Sequence, residues 1–374
     1  MSPRTSIRRR VTLGSFTAAA ALTLAAGALA AATGAQAATR AAPVTNPYSP
    51  AYHHSYRHGV IPTIAVEGKM RQWAQTHQNV SALSANDLNY GGGIDGIGVT
   101  TGHEKVYLVF YGSQWGTQGT DSNGDVTLSG DPSGEAPYYQ QFIKGLGTGG
   151  ELWSGVMTQY CDGVSVGAIK CPKTAKHVGY PTGGALAGVW EDSASASPKQ
   201  SSASQLAQEA VKAAGHFGNK TGASNRLTQY VIISPTGTNP DNYKGGGFCA
   251  WHDFTGSYGL SGPGTPLAFT NLPYIPDAKA NCGAGVVNPG NALDGVTIVE
   301  GHEYAETITD QFPAGGWLAN NGEETGDVCA WVTSGPGRMQ DIHLSTGSFA
   351  VQGTWSNLAN KGNGGCSVSH SIVT

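Results

Sequence analysis

Apolar residues follow one another without a polar break in Lys105-Val106-Tyr107-Leu108-Val109-Phe110-Tyr111, which predicts a strand covered on both faces. Tyr230-Val231-Ile232-Ile233-Ser234-Pro235 repeats that pattern, and Leu267-Ala268-Phe269-Thr270-Asn271-Leu272 predicts a third main strand. Between the first two, apolar positions return at helical spacing. Tyr139, Phe142, Ile143, Leu146, Leu152, Val156 and Met157 mark residues 136–160, which the glycines of 147–150 divide into two helices. Leu206, Ala210, Val211 and Ala214 line one side of a helix over 204–217. Shorter apolar runs predict a strand at 164–169 and an edge strand at 349–355. Strand, helices, strand, helix, strand is the order of an α/β fold with crossover helices. The expected class is therefore α/β, with a mixed, largely parallel central sheet, flanking helices and long Gly-rich, disulfide-bridged loops.

The next periodic stretch, 294–310, concentrates ligand and acid/base groups as nothing else in the chain does. At about 100° per residue, His302 and Glu306 lie one turn apart on one helix face, with Glu303 at the edge of the same arc. Val296, Ile298, Val299, Tyr304, Ala305 and Ile308 cover most of the remaining circumference, so the helix should be buried and its carboxylates in need of a cation or a donor. The spacing partly meets the His-Glu-x-x-His pattern of zinc peptidases, with Glu306 in place of the second His. A carboxylate is a harder ligand than imidazole, which leaves calcium as an alternative to zinc. The turn Gly322-Glu323-Glu324-Thr325-Gly326-Asp327-Val328-Cys329 offers the third ligand, with Asp327 preferred over Glu324 and Glu323 because a disulfide at Cys329 would pin its backbone. The expected roles are His302, Glu306 and Asp327 or Glu324 on the metal and Glu303 as general base. His252 follows a glycine run in Gly245-Gly246-Gly247-Phe248-Cys249-Ala250-Trp251-His252, and is expected as a further ligand or an oxyanion-binding group, with a loop histidine near a disulfide as the bland alternative. A solvated polar face with an i,i+4 contact is the bland alternative for the helix. Trp317 is expected to close the core rather than wall a cleft.

Composition sets the compartment. Arg8-Arg9-Arg10, an apolar Ala-rich segment to about Ala32 and Ala35-Gln36-Ala37 form an export signal, so 1–37 is expected to be removed. Residues 38–85 are read as a surface leader, partly disordered, with His53, His54 and His58 incidental in it and a helix from Ile64 onward around Met70 and Trp73. Residues 86–374 then form a single domain. Only 12% of residues are charged and 55 are glycine, which suits a loop-rich extracellular protein. A net charge of -4 without a basic cluster past the signal excludes nucleic acid as a partner, and no later segment is apolar enough to span a bilayer. A secreted monomer acting on a peptide or a cell-wall polymer is expected. Six cysteines imply three disulfides, and neighbour pairing (Cys161 with Cys171, Cys249 with Cys282, Cys329 with Cys366) closes modest loops.

Leu88-Asn89-Tyr90-Gly91-Gly92-Gly93 ahead of the 105–111 strand, Gly247-Phe248-Cys249, the Ala305-Glu306 helix and Asp327-Val328-Cys329 together resemble the phosphate-induced, exordium-like secreted proteins. The resemblance spans about Leu88 to Cys366 and is nearest to a bacterial branch with a His-Glu-x-x-Glu helix. Plant relatives are linked with cell-wall growth responses and lack the His-Glu pair, so the resemblance by itself implies no enzyme. The chemistry of the residues points to a secreted metal-dependent hydrolase of zinc-peptidase type. The rival is a non-catalytic wall-associated protein with a structural cation. A metal-free pair of carboxylates, as in glycosidases, ranks last, because two carboxylates one helical turn apart seldom face each other across a substrate.

Overall fold

The computed structural model describes residues 44–77 and 87–374. The segment expected to be an export signal and the tail of the helix expected to run to residue 85 lie outside them. The main elements in chain order are β1 (His58–Pro62), α1 (Ile64–Thr76), β2 (Lys105–Tyr111), α2 (Glu135–Gly145), β3 (Leu186–Asp192), α3 (Ala203–His216), β4 (Thr228–Ile233), β5 (Phe248–Phe254), β6 (Ala268–Leu272) and α4 (Asp294–Thr309). Six strands form one sheet in the order β1-β5-β6-β4-β2-β3. The pairs β6/β4, β4/β2 and β2/β3 are parallel, whereas β1/β5 and β5/β6 are antiparallel. This is the mixed, largely parallel α/β sheet with flanking helices that the periodicity predicts.

The apolar runs behave as strands covered twice. Val106, Leu108, Phe110, Val231 and Ile233 face a core shared with Tyr139, Phe142 and Ile143 of α2 and with Val296, Ile298 and Val299 of α4. Tyr107, Val109, Tyr230 and Ile232 face the other way, onto Leu206, Ala207, Ala210, Ala213 and Ala214 of α3. Helix α3 starts where Ser202 and Gln205 exchange side-chain and backbone hydrogen bonds, a capping box that satisfies two otherwise orphaned N–H groups. All three neighbour disulfides are present: Cys161–Cys171, Cys249–Cys282 and Cys329–Cys366.

Several local expectations need correction. Residues 164–169 are not a strand: the N–H of Ala168 bonds back to the carbonyl of Ser165, and the pairing nearby is made by Cys161–Asp162 with Lys176–His177. The second helix of 136–160 is a single 3-10 stretch, Ser154–Gln159. Residues 349–355 belong to two separate ribbons, Gly347–Val351 with Gln340–Leu344 and Thr354–Ser356 with Gly365–Ser367, and not to the main sheet. Strand β3 mixes Ala, Gly, Glu and Asp with no alternation, and it forms because β2 offers it a parallel partner. The segment expected as a surface leader contributes β1 to the edge of the main sheet, with Ile61 wholly buried. His252 is likewise no loop residue: it sits on β5, paired with His58 on one side and Thr270 on the other.

Candidate metal centre

Every residue of α4 is buried, polar ones included. The helix is held at its start by Asp294, whose carboxylate accepts the N–H groups of Val287 and Asn288 and the side-chain amides of Asn288 and Asn291. The Thr297 hydroxyl donates to the carbonyl of Ala350. Those anchors aim the C-terminal half of α4, with His302, Glu303 and Glu306, at β5 and at the turn that carries Glu324 and Asp327.

Glu306 is the shared centre. Its Oε1 accepts the backbone N–H groups of Gly326 at 2.9 Å and Asp327 at 2.8 Å, which ties the acidic turn to the helix. Its Oε2 lies 3.0 Å from Nε2 of His302 and 3.8 Å from Nε2 of His252, yet it sits in hydrogen-bond geometry with no group among the described residues. Nε2 of His302 is also 3.6 Å from Oδ1 of Asp327. Two triads result, His302/Glu306/Asp327 and His252/Glu303/Glu306, and in each the candidate ligand atoms lie within 4.8 Å of one another. A tetrahedral zinc with ligands at about 2.0–2.1 Å sets those ligands roughly 3.3 Å apart, and the 3.0 and 3.6 Å separations around His302 bracket that edge. The unsatisfied Oε2, two imidazole nitrogens and nearby carboxylates therefore fit a cation, and this buried His/Glu/Glu group could hold a metal ion.

The electrostatics of the cluster point the same way. Burial raises Glu303 well above the usual carboxylate range, and Glu306 rises to about 7 through burial and the neighbouring Asp327. Burial would lower His302, but the carboxylates of Glu306 and Asp327 outweigh it and hold the imidazole well above its ordinary value. His252 is pushed well below its ordinary value by burial and then by His58 and His302. The buried carboxylates thus demand positive charge, which the His302 imidazole beside them meets in part. A divalent cation would relieve the same demand more completely, since buried carboxylates are costly without a positive partner.

The structure brings His302, Glu303, Glu306 and Asp327 together, and it brings His252 to them from the sheet. Glu324 stands apart from the His302 triad: its Oε2 is 3.1 Å from Nε2 of His252, and its backbone N–H donates to Oδ2 of Asp327. Glu323 joins neither triad, though burial and Asp327 lift it to about 7. Trp317 belongs to the core, 1% exposed and donating its indole N–H to the carbonyl of Cys161. His58, read from the sequence as incidental, and Gly59, which the sequence did not single out, both reach the site. His58 lies across from His252 on β1, its pKa lowered to about 4 by burial, and the carbonyl of Gly59 is 3.2 Å from Nε2 of His302. The only local signal for them was the His-rich tract itself, which carries no information about pairing.

One glycine of the turn is required by contact rather than by conformation. A Cβ on Gly326 would stand 2.8 Å from Nδ1 of His302 and 2.9 Å from Oε1 of Glu306. The turn can close over the site only without that atom. The Cys329–Cys366 disulfide fixes its far end, and Cys249–Cys282 ties the start of β5 to the loop preceding α4.

Comparison of the chain with family models, with curated proteins and with solved structures finds no match. Function must be argued from the site.

Proposed function

We propose that this chain is a secreted metal-dependent hydrolase of peptidase type, with zinc as its ion. The observation that carries the reading is Oε2 of Glu306, buried 3.0 Å from Nε2 of His302 and 3.8 Å from Nε2 of His252, beside Glu303, and in hydrogen-bond geometry with no group among the described residues. The imidazole of His302, with that of His252 as a further ligand, favours zinc over calcium, which prefers six to eight oxygen ligands. Bound there, zinc would polarise a scissile carbonyl and acidify a water. His302, Glu306 and Asp327 would hold it.

Glu303 would take a proton from the attacking water and hand it to the leaving nitrogen as the C–N bond breaks. Glu324, 3.1 Å from Nε2 of His252, orients the ring, and His252 would position the reacting carbonyl or, by giving up that contact, serve as a further ligand. Three disulfides suit an oxidising compartment and hence export. Among the described residues no helix is long and apolar enough to cross a membrane.

A second reading is favoured by the burial of the cluster: His252, His302, Glu303 and Glu306 are all 0% exposed. A closed cation site of this kind would suit a non-catalytic, exordium-like wall protein. Elemental analysis of the purified protein together with casein hydrolysis separates the two. Stoichiometric zinc with hydrolysis that Glu303→Gln abolishes supports the enzyme. Calcium, or zinc without any turnover on proteins, supports the structural site.

A further inference from the structure

One short element, the strand β1, passes over the candidate ligands. Its Gly59 carbonyl oxygen lies 3.2 Å from Nε2 of His302, and a Cβ at Gly59 would fall 2.0 Å from Oε2 of Glu306 and 2.5 Å from Nε2 of His252. A peptide backbone thus passes directly over the unsatisfied oxygen, and only glycine permits the approach. The φ of +48° at Gly59 and the register shifts on either side of Ile61 lift the backbone out of the ladder at this point. β1 is also the outermost strand, so the edge of β5 would be free without it. The first cysteine of the chain is Cys161, so no disulfide ties β1 down, and the following helix α1 has no buried residue.

We propose that β1 is a built-in occupant of the substrate groove, and that the substrate is an extended polypeptide adding antiparallel to the edge of β5 with a glycine over the ligand cluster. The proposal rests on the hydrolase reading for its chemistry and on β1 alone for its geometry. A peptide strand added to a sheet edge gains main-chain hydrogen bonds whatever its sequence, while close contacts select its side chains. Here the selecting contacts are Glu306 and His252, which leave no room for a side chain. Outside the cluster the segment is retained by the burial of Val60 and Ile61 in the core and by three polar groups. Arg57, itself 6% exposed, pairs with Asp241 through Nε at 2.8 Å and donates to the carbonyl of Pro50. The indole of Trp331 donates to the carbonyl of Pro62 at 2.7 Å, and the N–H of Thr63 to the carbonyl of Gly247 at 2.8 Å. Access to the cluster requires that these be released, by cleavage of the chain after α1 or by exchange with a competing strand.

The test uses the full mature chain with a specific protease site inserted after His77, before and after cutting. A fluorescent peptide of the sequence of residues 56–63 is titrated against both forms, and zinc content and casein hydrolysis are measured in parallel. The expected result is binding to the cut form at least 10-fold tighter than to the intact form, loss of that binding for the same peptide with Gly59→Ala, and a matching rise in hydrolysis that the unmodified peptide reverses. An Arg57→Gln chain, left uncut, should bind the peptide more tightly than the parent and guards against damage from the inserted site. Equal peptide binding by all forms, or unfolding of the cut chain, would show β1 to be an integral strand and overturn the proposal. Peptide binding without zinc or turnover keeps the groove and removes the hydrolase. Zinc with turnover unchanged by cutting keeps the hydrolase and removes the groove.

Discussion

Nε2 of His252, on the sheet, stands 3.8 Å from Oε2 of Glu306, on a helix that begins 42 residues later in the chain. That contact joins the two halves of the candidate centre, because Glu306 also holds the Gly326–Asp327 turn through its other oxygen. His302→Ala and Glu306→Ala should each lower zinc affinity by more than about 100-fold, since even indirect supports of a metal ligand are worth about 10–100-fold. Competition with a chromogenic chelator measures this. Retention of stoichiometric zinc by the Glu306 variant would remove the centre as described.

Glu303→Gln separates holding the ion from using it. The amide keeps the shape of the side chain but cannot accept a proton from water. Zinc content should stay at the parental level while casein turnover falls by roughly 10²–10⁴-fold, the usual worth of a positioned base. A variant as active as the parent would exclude Glu303 from the chemistry.

Gly326→Ala tests the closeness of the turn. The added methyl would meet Nδ1 of His302 at 2.8 Å and Oε1 of Glu306 at 2.9 Å, so helix or turn must shift. Overpacking of that kind costs about 1–3 kcal/mol. Calorimetry should show a lower Tm together with weaker zinc binding, and an unchanged Tm would mean that the turn is slack.

Away from the centre, Glu104 offers a test of pH dependence. It is 2% exposed, and burial lifts its pKa to about 8, with Thr100 and Arg226 offsetting only part of the effect. An acid whose pKa is raised by folding binds its proton more tightly in the folded state. Between the ordinary value of 4.5 and about 8 the fold therefore holds more protons than the unfolded chain, and stability falls as pH rises, by at most roughly 1.4 kcal/mol per pH unit from this group. Glu104→Gln should remove that slope, leaving the variant with the higher Tm at pH 8 and no advantage near pH 4.5. Melts across the range check it, and parallel curves for parent and variant would contradict it.

The Cys249–Cys282 bridge spans 33 residues and holds β5 against the loop that leads into α4. Replacing both cysteines by Ala should cost on the order of 3–4 kcal/mol by the loop-entropy argument. Because His252 lies three residues beyond Cys249, zinc affinity should fall as well. Denaturant unfolding and chelator competition on the same variant read the two effects separately.

The sequence by itself determined what depends on near neighbours. The doubly covered runs at 105–111 and 230–233 read as inner strands, α3 shows its apolar stripe, and the 294–309 helix sets His302 and Glu306 one turn apart on a buried face. Periodicity is local, so it survives in the linear chain. Tertiary structure decided what depends on strand order and register. It placed His252 on β5 opposite Glu306, turned Glu324 toward His252 rather than toward His302, and laid Gly59 of an unremarkable N-terminal segment over the ligands. β1 reads as a polar leader because five residues at a sheet edge need little periodicity of their own. Their conformation is supplied by hydrogen bonds to a partner strand almost two hundred residues away, and no local pattern encodes such a partner.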